Sequence, residues 1–494
     1  LSISALARSR ADWLYGINLT RAYTLQGQKQ GFNSVLSVGR VQTPLLGLVV
    51  RREQEINEFV SKPFYQVLAH LTVNKKLTDK EANFSVKWQP SEACQQYCDE
   101  EGRVLVKALA MNVVDRITNQ EAIVERIKTE DKQQAQPLPF NLSSLQIAAA
   151  KQFSMNAKMV LDVCQALYEK HKLITYPRSD CRYLPKEQLN QASAIIDILS
   201  QATLPCARQA KNADKNIKSK AWNDKKITAH HAIIPTEKSP NNSQLNPFEK
   251  NIYLLIVRQY LVQFYPVYLY QQTSLTVKIA KGLFTTNDKM EQQLGWKVLF
   301  PVKKESTEGN EYQKNALPKL TQGQILHCQR GELIEKHTSP PESFTDASLL
   351  SAMTGIARFV CDPSIKKVLR DTDGLGTDAT RAGIIDLLFK RNFLQRNGKK
   401  IVATEIGIAL IKALPLMATL PDMTAQWEAT LTAISEKKAS YLNFMQPLIN
   451  TVTEMVATAG QQPFTGLPKI AFTPKRAKRK FKKKSPRISK AANG

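Results

Sequence analysis

Two short segments hold the residue types that phosphoryl transfer needs: Ile174-Thr-Tyr176-Pro-Arg178-Ser-Asp180 and Lys225-Lys-Ile-Thr-Ala-His230-His231-Ala-Ile-Ile-Pro235-Thr236. A tyrosine phenol titrates near pH 10 and is a poor nucleophile at neutral pH. It can attack a phosphodiester where cations stabilise the phosphate and the developing charge. Arg178 lies two residues beyond Tyr176, hence on the same side of an extended chain, and its planar fork matches phosphate oxygens. Pro177 disfavours a helix running through Tyr176. A histidine of the second segment could hydrogen-bond a phosphate or shuttle a proton. A Tyr-Pro pair alone marks an exposed turn far more often than a nucleophile, so the wording of both segments together carries the reading.

The elements around them follow from periodicity. Asn141 leads into Ser143 and Ser144, good helix caps, then Leu145, Ala148, Ala149 and Phe153 at helical spacing; Asn156 opens a second helix with Val160, Val163, Cys164 and Leu167 on one face. A strand over 173–175 would then end at Tyr176. Residues 4–22 read as a helix with Leu6, Trp13 and Ile17 on its apolar side and Arg8, Asp12 and Arg21 on the other. A second helix runs over 42–55. Alternation at period two marks strands at 67–73, 275–279, 296–300, 325–328 and 332–335. Two strand blocks separated by a long helical stretch imply one sheet domain with another inserted into it.

The expected organisation is multidomain α+β. Residues 1–58 and 342–465 form a helical base, 59–130 and 256–341 a β-rich arch, 131–255 an inserted helical domain with Tyr176, and 466–494 a disordered basic tail. Ten of residues 474–490 are Lys or Arg, a polycation suited to non-specific phosphate contact. Lys and Arg outnumber Asp and Glu by 69 to 43 overall, which favours a nucleic-acid partner. The most apolar stretch, 253–265, is broken by Arg258 and Gln259 and is too short to span a membrane. Seven cysteines without a paired framework read as reduced cytosolic thiols, and Cys94/Cys98 lack a second pair to complete a zinc site.

Both motif segments, together with Ser4-Ala-Leu-Ala-Arg-Ser-Arg-Ala-Asp12-Trp-Leu-Tyr-Gly16, Ser37-Val-Gly-Arg-Val-Gln-Thr-Pro44 and Asp373-Gly-Leu-Gly-Thr-Asp-Ala-Thr-Arg381, resemble type IA DNA topoisomerases. The stretch Gly355-Ile-Ala-Arg-Phe-Val-Cys-Asp-Pro-Ser-Ile-Lys-Lys-Val-Leu-Arg370 is similar to the basic decatenation loop of the bacterial topoisomerase III kind. The resemblance implies a toroid or arch of discontinuous domains. It also implies ATP-independent cleavage of single-stranded DNA through a 5′-phosphotyrosine, strand passage and religation, with relaxation of negative supercoils and decatenation. Tyr176 would be the nucleophile, Arg178 would steady the scissile phosphate and His230 would assist. Arg8, Asp12, Arg40, Gln42, Lys366, Lys367 and Arg370 would contact DNA.

The same resemblance implies an N-terminal Toprim domain with a Mg²⁺-binding acidic cluster. No counterpart is present in the sequence, whose first residue is Leu1, so a fragment is expected: one that binds single-stranded DNA but cleaves it slowly or not at all. Asp371-Thr-Asp373 has the acidic spacing but reads as a turn. Neither zinc nor ATP is expected. Expected partners are single-stranded and negatively supercoiled DNA, with a helicase or single-strand-binding protein alongside; a monomer in the bacterial cytoplasm, associated with the nucleoid, is implied. The alternatives are a tyrosine recombinase or relaxase, disfavoured by the order and adjacency of Tyr176, His230 and His231, and a non-catalytic single-strand-binding remnant.

Overall fold

The computed structural model describes residues 2–73, 83–227, 229–300, 317–360, 363, 366, 374–459, 464 and 466–468. The basic tail from Pro474, the Asp371–Asp373 turn, and Lys367 and Arg370 of the basic loop lie outside the described residues.

Six strands, β1 (Pro63–Thr72), β2 (Asn83–Gln89), β3 (Gln120–Gln134), β4 (Tyr268–Ile279), β5 (Gly282–Gln293) and β6 (Ile325–His337), close a barrel in the order β1-β2-β5-β4-β3-β6. Every neighbouring pair is antiparallel. Alternate residues such as Val67, Ala69, Leu71, Val86, Val124, Val277 and Phe284 fill a core separate from that of the helices. Closure removes the unpaired edges that an open sheet would present. The two short runs read at 325–328 and 332–335 are one strand, because β6 continues through Gly331, whose added Cβ would meet the Val114 carbonyl at 2.9 Å.

The helical insert leaves the barrel at Gln134 and returns at Tyr268, and these two residues pair in register. The crossing is tied by hydrogen bonds. Gln136 Nε2 donates to the Tyr265 carbonyl at 2.6 Å, Gln263 Nε2 to Pro137 at 2.8 Å, and Trp296 Nε1 to Gln134 at 3.0 Å. The strand expected at 296–300 is instead a 3₁₀ turn over Gly295–Leu299. Gly295 has φ +51°, and a Cβ there would sit 2.3 Å from the Val267 carbonyl, so the chain turns where β-propensity alone would extend it.

The base packs helices Ser2–Lys29, Gln42–Asn57, Asp346–Thr354, Asp378–Lys390, Glu405–Ala413, Asp422–Ser435 and Tyr441–Ala459 around a hairpin of β7 (Leu394–Asn397) and β8 (Lys400–Ala403). The buried face of the first helix corrects the sequence reading. Ala7, Ala11, Tyr15, Leu19 and Tyr23 point inward, whereas Leu6, Trp13 and Ile17 are exposed. The small alanines admit close helix approach, and Tyr15 meets Trp427 edge-on at 5.6 Å. The apolar cores of base and insert form one continuous cluster. Among the described residues no helix is long and apolar enough to cross a membrane.

Two glycines separate steric clash from backbone preference. Gly323 has φ +79° but open space around a Cβ, so Gly323→Ala costs about 1 kcal/mol. Gly295→Ala adds the clash with Val267 and costs about 3 kcal/mol or more. Chemical denaturation of the two variants should show this ordering; equal losses would mean that the crossing yields freely.

Candidate active site and strand groove

The helix Ala157–Glu169 ends in a turn in which Leu173 N–H donates to the Leu167 carbonyl at 2.9 Å and Lys172 adopts φ +57°. From Leu173 the chain runs extended against residues 232–236. Thr175 N–H donates to the Ile234 carbonyl (2.9 Å), and Thr236 N–H donates to Leu173 (3.0 Å). The Thr175 hydroxyl accepts from Ile234 N–H at 3.0 Å and donates to the Ala232 carbonyl at 3.2 Å. Leu173, Ile174, Ile233 and Ile234 are buried beneath this clasp.

Tyr176 emerges at its end, 40% exposed, with its ring stacked on His230 at 4.8 Å and an interplanar angle of 24°. Tyr168, from the preceding helix, meets it edge-on at 5.8 Å. The clasp thus brings together two residues far apart in sequence. Arg178 is exposed and has no carboxylate partner among the described residues. His231 is differently placed. Its Nδ1 donates to the Ala232 carbonyl at 2.8 Å and its Nε2 lies 3.0 Å from the Gln188 amide nitrogen, which ties the ring to the scaffold.

Beyond Tyr176, Ser179 is buried and its carbonyl accepts from Leu142 N–H at 2.9 Å. The cap of the Leu142–Phe153 helix is Asn141, ahead of the serines expected, and it forms a capping box with Ser144. Arg182 is a scaffold residue: it donates to the Pro139 and Leu138 carbonyls at 3.0 and 2.9 Å, and burial lowers its pKa.

The base carries a groove of about 510 Å³ lined by Arg8, Asp12, Arg40, Gly374, Gly376, Thr377, Thr380 and Glu428. Gly374 has φ +82°, and a Cβ there would meet the Met353 carbonyl at 2.4 Å; only glycine fits this wall. Arg40 is buried and bridges Asp12 (2.6 Å) and Glu428 (2.7 Å), while Arg8 reaches the second Glu428 oxygen at 2.5 Å. Burial disfavours the Arg40 cation, but the hydrogen bonds and charges of Asp12 and Glu428 outweigh it and raise the pKa. Gln42 is buried beside Gly39. Arg40 and Gln42 therefore lie behind the groove surface, and of the residues read as DNA contacts Arg8 and Asp12 are the more accessible there. Lys366 is half-buried in the part of the basic loop that is described.

Sequence reasoning did not single out Glu428, which lies outside every motif, or Tyr168, Asp378 and Thr380. Asp378 and Thr380 fall inside the quoted Asp373–Arg381 segment, which was the available signal. Burial pushes the thiol of Cys164 up to about 12 and those of Cys206 and Cys328 to about 11, as befits core residues. Among the described residues no three His, Cys, Asp or Glu side chains converge to hold a metal ion.

A family described as DNA topoisomerase matches residues 1–446. The chain is 50% identical over 463 residues to DNA topoisomerase 3 of Salmonella typhimurium, covering 94% of this chain and 70% of that protein. It is 53% identical to DNA topoisomerase 3 of Haemophilus influenzae, covering 92% and 70%. Among solved structures, full-length topoisomerase I from Thermotoga maritima aligns with TM-score 0.63 at 20% identity, covering 92% of this chain and 68% of that one, a likeness of fold.

The groove network yields a stability test. Arg40→Ala leaves Asp12 and Glu428 without their central cation and costs roughly 3 kcal/mol. Arg8→Ala, which removes a half-exposed partner, costs less than about 1 kcal/mol. Urea denaturation of the two variants measures both; an Arg40→Ala loss as small as that of Arg8→Ala would contradict a buried, organising role.

Proposed function

The chain belongs to the DNA topoisomerase family, with a type IA fold, and on that premise we propose that Tyr176 is its nucleophile toward single-stranded DNA. The observation that carries the proposal is the exposed Tyr176 ring stacked on His230, two residues before the exposed Arg178, which has no carboxylate partner among the described residues. In this reading the phenol oxygen attacks phosphorus and loses its proton. The bond from phosphorus to the 3′ oxygen breaks, that oxygen takes up a proton to become the 3′ hydroxyl, and the 5′ phosphate becomes a tyrosine ester. That ester conserves the bond free energy, so resealing is the reverse attack and needs no nucleotide hydrolysis. Arg178 neutralises the phosphate, and His230 hydrogen-bonds it or carries a proton. Relaxation of negative supercoils and decatenation follow when a second strand passes the held break.

The groove of Arg8, Thr377 and Thr380 suits the incoming single strand. Lys366, Lys367 and Arg370, with the basic tail, would add phosphate contacts. A helicase or single-strand-binding protein would supply unpaired DNA near the nucleoid. Type IA topoisomerases depend on Mg²⁺ in general. In the residues next to the nucleophile loop, Asp378 already has both oxygens engaged by Asn141, Ser143 and Arg381. We therefore infer that these 494 residues bind single strands well and cleave them slowly without an added acidic, metal-bearing half-site.

Two experiments test this. With Mg²⁺ and a single-stranded oligonucleotide labelled at its 3′ end, any covalent adduct should form slowly and retain the label. Retention of a 5′ label instead would indicate 3′-phosphotyrosine chemistry, and rapid adduct formation would contradict the need for a further half-site. Tyr176→Phe should abolish the adduct with oligonucleotide affinity unchanged, and His230→Ala should slow adduct formation about 100-fold. That affinity should weaken with salt at a log–log slope of about −0.7 per phosphate contacted; a salt-independent affinity would contradict a backbone-gripping groove.

A further inference from the structure

The helix Asp378–Lys390 presents two different stripes. Thr377, its cap, with Thr380 and Ile384, lines the groove. Asp378, Arg381 and Ile385 are buried on another side. Each set recurs at spacings of three and four, so both run along one rigid cylinder. Asp378 Oδ1 accepts from Ser143 Oγ at 2.6 Å and from Arg381, and Ser143 Oγ accepts from Arg381 Nη1 at 2.7 Å. Asp378 Oδ2 accepts from Asn141 Nδ2 at 2.9 Å. The same amide nitrogen donates its other proton to the Asp180 carbonyl at 3.0 Å. Arg381 Nε reaches the Leu375 carbonyl at 3.3 Å, between the two groove glycines Gly374 and Gly376.

A short chain of contacts therefore runs from the groove floor (Gly374-Leu375-Gly376) through Arg381 and Asp378 to Asn141, and from Asn141 to the loop that follows Tyr176. We propose that Asp378 is a positioning residue which, through Asn141, couples occupancy of the groove to the placement of the nucleophile loop. A strand seated against Thr377 and Thr380 stiffens the first turn of this helix, and with it the carboxylate that holds Asn141. The Asp378–Arg381 pair lies within one helix, whereas the Asn141 and Ser143 contacts cross from base to insert. The buried position of both charges makes an unlatched state costly unless something replaces the lost partners. The proposal rests on Tyr176 being the nucleophile for its functional meaning, but the contact chain itself can be tested without cleavage.

The test is hydrogen exchange of the full chain, with and without an oligothymidylate as probe. Asn141→Ser keeps a good helix cap and removes both donor contacts. The expected result without DNA is faster exchange confined to peptides spanning 141–145 and 176–183, with at most a small fall in melting temperature and oligothymidylate affinity unchanged. In the wild type the probe should protect 176–183; in Asn141→Ser that protection should be lost. Asn141→Thr, which is also a helix cap without an amide donor, should give the same effect and serves if Asn141→Ser folds poorly. Unchanged exchange at 176–183, or a rise spread over the whole chain with a lowered melting temperature, would overturn the proposal. Failure of the probe to bind the wild type would instead count against the groove, with the DNA-free comparison still deciding the latch.

Discussion

The antiparallel clasp between residues 173–176 and 232–236, centred on Thr175, is the interaction on which the site depends. Its hydroxyl and amide together engage Ala232 and Ile234, while four buried aliphatic side chains beneath it exclude water. In that setting each backbone hydrogen bond is costly to break, because a buried unpaired group forfeits solvation. The clasp ends at Tyr176, so the phenol is exposed yet held against a fixed wall. Without it, Tyr176 would be a loop tyrosine and His230 a surface histidine with no relation to each other.

The rest of the fold serves that arrangement. A closed barrel receives both ends of the insert side by side at Gln134 and Tyr268. Its far side meets the base through Asn141, Ser143, Asp378 and Arg381. The base in turn organises its groove around Arg40, whose two carboxylate partners come from distant helices. A cation buried in this way shapes the surface and places its neighbours. Arg8 is left to present charge outward.

Legible in the sequence are the candidate residues whose types suggest local chemistry. Tyr176, Arg178 and His230 stand out by type and motif, and the two-block pattern of strands around a helical insert is visible in the change of period. Much less legible is what depends on long-range packing. The helix Ser2–Lys29 shows apolar residues on two sides, and only its neighbours decide that Ala7, Ala11 and Tyr15 turn inward while Trp13 faces out. Arg40 reads as a DNA-facing cation until Glu428, hundreds of positions away, is seen beside it. The segment Trp296–Phe300 has the composition of a strand, yet the left-handed Gly295 and the nearby Val267 carbonyl force a turn. In each case tertiary context overrides a local preference.

The most direct measurement of the central claim is the NMR spectrum of the six histidine rings, with His230 assigned by substitution. Stacking on Tyr176 places the His230 ring protons in the shielding region of the phenol. Tyr176→Leu should therefore move the His230 resonances downfield and leave those of His70 and His327, in the barrel, unchanged. His230 resonances that do not respond to loss of the Tyr176 ring would contradict the clasped geometry from which the nucleophile assignment is argued.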